Sequence, residues 1–143
     1  MFKKINLQYL ISYLGTLPFI IVILDKFFLY QLDPYIMQDF IIYYSIIIFV
    51  FIGSINWNFK KKVPNYLIIY GFLPSVYSLI LIILNLYLYN IKILILLSVI
   101  LLITQLFFDF FLIFVNLKNK NFFYFLRLPL TILISLILII IMV

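Results

Sequence analysis

Two charged residues, Asp109 and Arg127, are the ones whose types and spacing point to chemistry in apolar surroundings. Arg127 is the only arginine and opens the last long apolar segment, and Asp109 is the one of four carboxylates that lies within the interior of such a segment. A charge in hydrocarbon is costly unless a partner answers it, and arginine can bind a carboxylate through two parallel hydrogen bonds. Such a pair either ties two helices together or forms part of an ion or proton path.

The spacing of the two charges predicts that they meet across a helical hairpin. The connection between the two segments is centred near Lys118, with Asp109 nine residues before it and Arg127 nine residues after it. Positions equidistant from the centre of an antiparallel hairpin lie at one depth. Asp109 is six residues inside Val115, or about 9 Å deep at the helical rise of 1.5 Å per residue. We therefore predict an Asp109–Arg127 pair.

Further polar residues continue this match in depth. Gln105 lies one turn deeper than Asp109, and Thr131 lies one turn deeper than Arg127. Two facing polar stripes predict a ladder of hydrogen bonds between the helices, and Ser98 and Ser135 extend it. We favour the structural interpretation, in which the ladder fixes the hairpin, because one charge pair does not make a relay. A path for ions or protons remains the alternative, and Arg127 could instead extend to the membrane surface.

The absent residue types exclude several kinds of chemistry. The sequence contains no Ala, Cys, His or Glu. Without His or Cys there is no ordinary zinc, haem or iron–sulfur ligation, and Ser-His-Asp and Cys-His centres are impossible. Four aspartates without histidine also leave little capacity for general acid–base catalysis. We therefore predict a protein that is not an enzyme and that binds no metal and no cofactor.

The elements that must position these residues are membrane-length helices. Hydrophobic residues make up 69% of the 143 positions, whereas soluble domains are about half apolar. A helix that crosses a bilayer needs about 20 mostly apolar residues, and five segments qualify. The predicted spans are residues 6–28, 39–57, 66–89, 91–115 and 122–143. We predict an all-α membrane protein, a bundle of five transmembrane helices with short loops that forms a single domain over residues 1–143.

The basic residues predict the orientation of this bundle. Eight of the ten basic residues lie at the ends and loops on the side of the N-terminus, and only Lys26 and Lys92 lie on the other side. The positive-inside rule then places the N-terminus inside and the C-terminus outside. The net charge of +6 does not indicate a nucleic-acid partner, because the lysines lie between the spans rather than on one soluble face.

Small residues and prolines mark the inner halves of three spans. Such faces let helix backbones approach closely, and polar neighbours can satisfy the carbonyl that a proline leaves without its donor. In the second span, Asn56 is predicted to bind a neighbouring helix and Trp57 to anchor at the headgroup level. The predicted packing residues are Gly15, Pro18, Gly53, Asn56, Trp57, Gly71 and Pro74.

The same residues carry a resemblance to a known family. The motifs, in order along the chain, are "LGTLPFI", "FIGSINW", "YGFLPSV", Asp109 and "FYFLRLPLT". This order resembles the transmembrane protein 69 family, a five-span family of bacteria and mitochondria for which the resemblance implies no activity. Asn58 replaces a glycine that is usual in the family, and Asn56 replaces a basic or imidazole side chain, so a protonation role there would be lost. The family's distinctive residues fall on Gly15, Pro18, Phe19, Gly53, Trp57, Pro74, Asp109, Arg127 and Thr131.

Composition also suggests a source and a role. Ile, Phe, Tyr, Asn and Lys together make up more than half of the sequence, and these residues use AT-rich codons, as in organelle genomes and reduced bacterial genomes. We expect an organelle-encoded protein of the mitochondrial inner membrane, or otherwise of the inner membrane of an AT-rich bacterium. The expected role is that of an accessory or assembly subunit of a respiratory-chain complex, with lipid and other membrane subunits as partners. The alternatives are a small membrane carrier that uses the polar cluster around Arg127, and a divergent core hydrophobic subunit of a proton-translocating complex.

Overall fold

A computed structural model describes residues 7–54, 64–87, 90–116 and 123–142, and these ranges contain helices and no strands. Five of the described helices are long and apolar enough to cross a membrane, which confirms the predicted all-helical fold with five such helices. They comprise Tyr9–Leu29, Pro34–Gly53, Asn65–Tyr87, Ile91–Phe111 and Phe123–Met142. We refer to them as the first to the fifth span.

Within the described ranges, the spans are built from six α-helices and two π-helical turns. The α-helices are α1 (Leu7–Leu14), α2 (Leu17–Leu24), α3 (Pro34–Ser54), α4 (Asn65–Tyr87), α5 (Ile91–Asn116) and α6 (Leu128–Met142). The π-helical turns are Asp25–Leu29, which ends the first span, and Phe123–Arg127, which begins the fifth. We call the end of the bundle where the fifth span begins the Arg127 end, and the opposite end the Lys26 end.

The first span is broken in its middle, next to a proline. α1 ends at Leu14 and α2 begins at Leu17, with Pro18 in its first turn, where a missing N–H is tolerated. The Thr16 hydroxyl donates to the carbonyl oxygen of Tyr13 at 2.7 Å. The break therefore follows from Pro18, and a local side-chain hydrogen bond stabilises it.

The second span begins earlier than the sequence pattern predicted. α3 starts at Pro34 rather than at residue 39, because Asp33 caps it and its carboxylate accepts a hydrogen bond from the N–H of Tyr35 at 2.8 Å. Proline is well suited to the first helical position. α3 ends at Ser54, and the remaining predicted positions up to residue 57, including Asn56 and Trp57, lie outside the described residues. The bounds of the third and fourth spans agree with the prediction within two residues.

The second and third spans approach closely at Gly53, as their small residues predicted. A Cβ atom added to Gly53 would lie 2.5 Å from the carbonyl oxygen of Gly71 and 3.0 Å from Cγ of Pro74. No real side chain fits at such distances, so the contact requires glycine. Pro74 lies inside α4 without ending it, and both Gly71 and Pro74 are buried.

The core fills the space between the spans mainly with branched aliphatic side chains, and aromatic side chains contribute to it as well. Fully buried members include Phe19, Phe49, Ile95, Leu102 and Leu138. α5 packs against α6, and α2 also contacts α6, so the first span lies beside the last. The opposite faces of the helices expose large apolar side chains, such as Ile69 at 63% and Phe107 at 62%.

Candidate functional site

The predicted ion pair is present and buried. Asp109 extends from α5, and Arg127 is the last residue of the π-helical turn that precedes α6. Asp109 is 3% exposed and Arg127 is 9% exposed. Nε of Arg127 donates to Oδ2 of Asp109, so the two charges neutralise each other inside the bundle. The prediction that Asp109 and Arg127 pair is therefore confirmed.

A third residue, Tyr70, completes this cluster, and sequence reasoning missed it. The hydroxyl of Tyr70 donates to Oδ1 of Asp109 at 2.6 Å and lies 3.1 Å from the main-chain carbonyl oxygen of Gln105. Both oxygens of Asp109 therefore accept a hydrogen bond, one from α4 and one from the start of the fifth span. The chemistry of Asp109 could have suggested such a residue. A buried carboxylate has more acceptor sites than the Nε–H of one arginine can satisfy, so a second donor is expected nearby.

The π-helical turn Phe123–Arg127 is explained by Pro129, which lies two residues after its end. Pro129 lacks an N–H and its ring clashes with the carbonyl of the residue four positions earlier, which is Phe125. The carbonyl oxygen of Phe125 instead accepts a hydrogen bond from the hydroxyl of Tyr13 at 2.6 Å. The first span therefore satisfies a main-chain group that Pro129 leaves without a helical donor.

A second tyrosine makes the same kind of contact at the break in the first span. The hydroxyl of Tyr44 on α3 donates to the carbonyl oxygen of Gly15 at 2.7 Å. Gly15 and Pro18 thus mark a helix break that a neighbouring span supports, in line with their predicted role in packing.

The remaining described packing residues lie on the contact between α3 and α4. Gly53 of α3 approaches Gly71 and Pro74 of α4, and α3 and α4 pack against each other along their length. One turn beyond Pro74, the hydroxyl of Ser78 donates to the carbonyl oxygen of Ile46 at 3.5 Å. The small residues of the second and third spans therefore share one helix–helix contact. The sequence predicted close packing at these residues but not which spans would meet.

The predicted ladder beyond the ion pair is wrong. Within the part of the chain that the structure describes, both side-chain polar atoms of Gln105 and the hydroxyls of Thr131 and Ser135 are buried without a hydrogen-bond partner. Ser98 donates to the carbonyl oxygen of Leu94 in its own helix at 3.0 Å, as serine often does within helices. Matched depth fixes the height of a residue in the bundle but not its rotation about the helix axis, so Gln105 and Thr131 do not meet.

Two cavities flank the cluster on different sides. One of about 260 Å³ lies among the first, second, fourth and fifth spans, and both Arg127 and Thr131 line it. The other, of about 170 Å³, lies between α3, α4 and α5, and Tyr70 and Gln105 line it. The two residues expected to face each other therefore line different spaces. Nη2 of Arg127 is buried and has no partner among the described residues.

The Lys26 end has a polar contact of its own, which the sequence pattern did not indicate. Asp25 is buried, and its carboxylate accepts hydrogen bonds from the N–H groups of Gln31 at 3.2 Å and Leu32 at 3.0 Å. Nζ of Lys26 donates to the carbonyl oxygen of Ile140 at 2.9 Å. A cation is favourable at a helix C-terminus, where carbonyls lack helical donors. This contact therefore ties the end of the first span to the end of the fifth.

Together the fold and the site define a class: a helical protein whose described part contains five helices of membrane-spanning length, closed at one end by a buried Arg–Asp–Tyr cluster. No protein-family model, no curated protein and no solved structure matches the chain. The resemblance to the transmembrane protein 69 family therefore stays a prediction that rests on the sequence motifs. What the chain does has to be argued from its own residues.

Proposed function

We propose that the chain is a non-catalytic integral membrane protein that serves as an accessory or assembly subunit of a respiratory-chain complex. The observation that supports this best is the closure of the charged cluster. Asp109 accepts hydrogen bonds on both oxygens, and Arg127 is nine-tenths buried. A charge pair closed in this way stabilises a helix arrangement and offers no free charge to a substrate.

The outer surface supports a role that depends on contact with other apolar molecules. α5 exposes a row of aromatic side chains, with Phe107, Phe108 and Phe111 all more than half exposed. These rings suit lipid tails and the apolar flank of a neighbouring subunit equally well. Association with a larger complex would bury such a row, and aromatic residues are enriched in protein interfaces.

The orientation and the location belong to the same proposal. The bias of basic residues favours an N-terminus inside and a C-terminus outside. The abundance of residues with AT-rich codons suits an organelle-encoded protein of the mitochondrial inner membrane, the location we propose, and it also suits the inner membrane of an AT-rich bacterium. We also propose that the chain belongs to the transmembrane protein 69 family. In support, residues of its motifs contact each other between helices, Asp109 with Arg127 and Gly53 with Pro74.

The test is extraction of the tagged protein from its native membrane in a gentle detergent, followed by a native gel and mass spectrometry of the excised bands. We expect the chain to migrate with subunits of one large complex. The same membranes dissolved in a harsh detergent provide the position of the free monomer. Migration only at that position in the gentle detergent as well would refute the accessory role.

A small carrier is the second candidate, and the cavity beside Arg127 favours it. A carrier must admit water to its site in at least one state. Because the chain has no cysteine, Thr131→Cys introduces a single reactive thiol on the cavity wall. Lys92→Cys at the exposed start of α5 should react with a water-soluble maleimide, and Leu94→Cys at a fully buried position should not. If the protein is a carrier, the maleimide should label Thr131→Cys at a rate near that of Lys92→Cys. If it has the accessory role, Thr131→Cys should be labelled as slowly as Leu94→Cys.

A divergent core subunit of a proton-translocating complex has less support. Such subunits need a protonatable group that exchanges protons within the membrane. The chain has no glutamate, and Lys26 and Lys92 lie near the ends of their spans. Asp109 is the interior carboxylate, and Arg127 and Tyr70 already occupy both of its oxygens.

A further inference from the structure

A cleft of about 480 Å³ lies among the first, second, fourth and fifth spans at the Lys26 end of the bundle. Four side chains of its wall carry hydrogen-bond donors, namely Lys26, Tyr30, Gln38 and Lys92. Tyr30 and Lys92 are exposed, and Lys26 and Gln38 are partly exposed, so a molecule from outside can reach these donors. The size of the cleft falls within the range of about 300–1,000 Å³ that is usual for small-molecule sites.

Most of these donors are unused within the part of the chain that the structure describes. There, the side chains of Tyr30, Gln38 and Lys92 make no hydrogen bond and no ion pair. Nζ of Lys26 donates to the main-chain carbonyl oxygens of two successive residues at the end of α6, at 2.9 and 3.3 Å. An ammonium group has three N–H donors, so one of them is left for a further acceptor.

The charges of the wall favour an anion. Two lysines and one aspartate, Asp25, leave the wall with a net charge of +1. Both oxygens of Asp25 already accept hydrogen bonds from the N–H groups of Gln31 and Leu32, and neither lysine pairs with a carboxylate among the described residues. Asp33 and Asp39 do not belong to the wall. A singly charged anion would therefore neutralise the wall, whereas the ammonium group of a zwitterion would find no free carboxylate in it.

The cleft also lies at the level where lipid headgroups are expected. Tyr30, Tyr35 and Tyr87 are all strongly exposed at this end, and exposed tyrosines typically mark the headgroup level of a membrane. Tyr30 keeps its large ring although its φ of 53° lies in the left-handed region, which normally favours glycine. The rest of the wall is mostly apolar and includes Leu32 and Ile141. A ligand that combines a charged headgroup with an apolar body fits both parts of this wall.

From these observations we infer that the cleft binds the phosphate group of an anionic phospholipid. Lys26 and Lys92 supply the positive charge, Tyr30 and Gln38 supply further donors, and the apolar part of the wall packs against the glycerol and the first methylene groups. Basic pockets between transmembrane helices bind lipid headgroups in other membrane proteins. A free phosphate ion offers the same oxygens without the apolar body, and the experiment separates these two sources. The inference is independent of the proposed accessory role, because it depends only on the residues of one cleft.

The experiment measures lipid-dependent stabilisation of the purified, full-length protein in dodecyl maltoside micelles. The probes are dioleoyl phosphatidylglycerol, dioleoyl phosphatidylethanolamine and dioleoylglycerol at equal mole fractions in the micelle, and inorganic phosphate in the buffer. A ligand that binds only the folded state raises the unfolding midpoint in a concentration-dependent way. We expect phosphatidylglycerol to raise it most, because it alone among the probes combines a net negative phosphate with an apolar body.

Variants of Lys92 connect the effect to the cleft. Lys92→Gln removes one charge of the wall without breaking a hydrogen bond in the described part of the chain. We expect phosphatidylglycerol to bind this variant about fivefold more weakly, the effect of one lysine beside anionic lipid. Lys92→Arg keeps the charge and should keep the affinity. Lys118→Gln is the matched control, because it removes the same charge from the stretch of sequence between α5 and the fifth span, and it should leave the affinity unchanged.

Four outcomes would overturn the inference. Stabilisation by dioleoylglycerol or by phosphatidylethanolamine that equals the effect of phosphatidylglycerol would show that the protein does not recognise a negatively charged headgroup. Stabilisation by inorganic phosphate to the same extent would show a site for free anions. Unchanged affinity for phosphatidylglycerol in Lys92→Gln would place the lipid elsewhere on the protein. An equal loss of affinity in Lys118→Gln would reduce the effect to the net charge of the whole chain.

Discussion

Breaking the Asp109–Arg127 pair from one side should destabilise the bundle more than removing both charges together. Asp109→Asn leaves the guanidinium of Arg127 buried, with Nη2 already lacking a partner among the described residues. Arg127→Gln leaves a buried carboxylate whose remaining donor is the hydroxyl of Tyr70. Removing one member of a buried ion pair costs about 3–5 kcal/mol, because the other charge stays uncompensated. We expect a cost in this range for each single change.

The variant that combines Asp109→Asn with Arg127→Gln is expected to lose less than either single variant. Both introduced side chains are neutral amides, and the two amides can still form a hydrogen bond with each other across the hairpin. The residual loss is then on the scale of one or two ordinary hydrogen bonds, about 1–2 kcal/mol. The difference between the double change and the sum of the single changes is therefore expected to amount to several kcal/mol.

The assay is reversible unfolding in mixed micelles as the fraction of sodium dodecyl sulfate increases, followed by the loss of tertiary near-ultraviolet circular dichroism. Lys92→Gln combined with Arg127→Gln is the control cycle, because Lys92 lies at the end of α5 opposite to Asp109. The free-energy costs of changes at distant sites normally add within about 0.5 kcal/mol. Additive costs for Asp109→Asn and Arg127→Gln, within that same margin, would refute the view that the pair acts as one unit.

Three further changes test other contacts in the same assay. Tyr70→Phe removes the donor to Oδ1 of Asp109 and should cost about 1–3 kcal/mol, the range for a buried acceptor left unsatisfied; no loss would show that the hydroxyl is dispensable. Gly53→Ala places a Cβ 2.5 Å from a main-chain oxygen of α4 and should lower the free energy of unfolding by about 1–3 kcal/mol through overpacking. Gly15→Ala is the control and should cost less, because the nearest atom to its added Cβ would lie at 3.2 Å. Lys26→Met removes the hydrogen bond from Lys26 to the carbonyl oxygen of Ile140 at the end of α6 and should cost up to about 1 kcal/mol of stability. A loss no greater than that of Lys92→Met would contradict the capping role of Lys26.

The features that the sequence predicted correctly are those encoded in one dimension. Hydropathy over about 20 residues identifies membrane-length helices, and distance from a loop centre predicts the depth of Asp109 and Arg127. Small residues near Pro74 predicted a face that another helix approaches closely, and the structure shows that the partner is the second span at Gly53. Each of these arguments requires only positions along the chain.

The features that were missed depend on rotation about the helix axes. Gln105 and Thr131 have matching depths but face different cavities. Tyr70 could not be singled out among twelve tyrosines without knowing which side of α4 faces Asp109. Nor does any local pattern place Lys26 against the last turn of a helix that lies 114 positions further along the chain.

The contacts between the first and the fifth span have a consequence for biosynthesis. Tyr13 donates to Phe125 at one end of the bundle, and Lys26 donates to Ile140 at the other. A ribosome makes the N-terminal part of a chain first, so four of the five membrane-length helices are complete before either acceptor exists. Until the fifth span arrives, the buried carboxylate in α5 also lacks its guanidinium partner and has a tyrosine hydroxyl as its donor. The last span to be made therefore supplies the contacts that close the bundle at both ends and the guanidinium that neutralises its buried carboxylate.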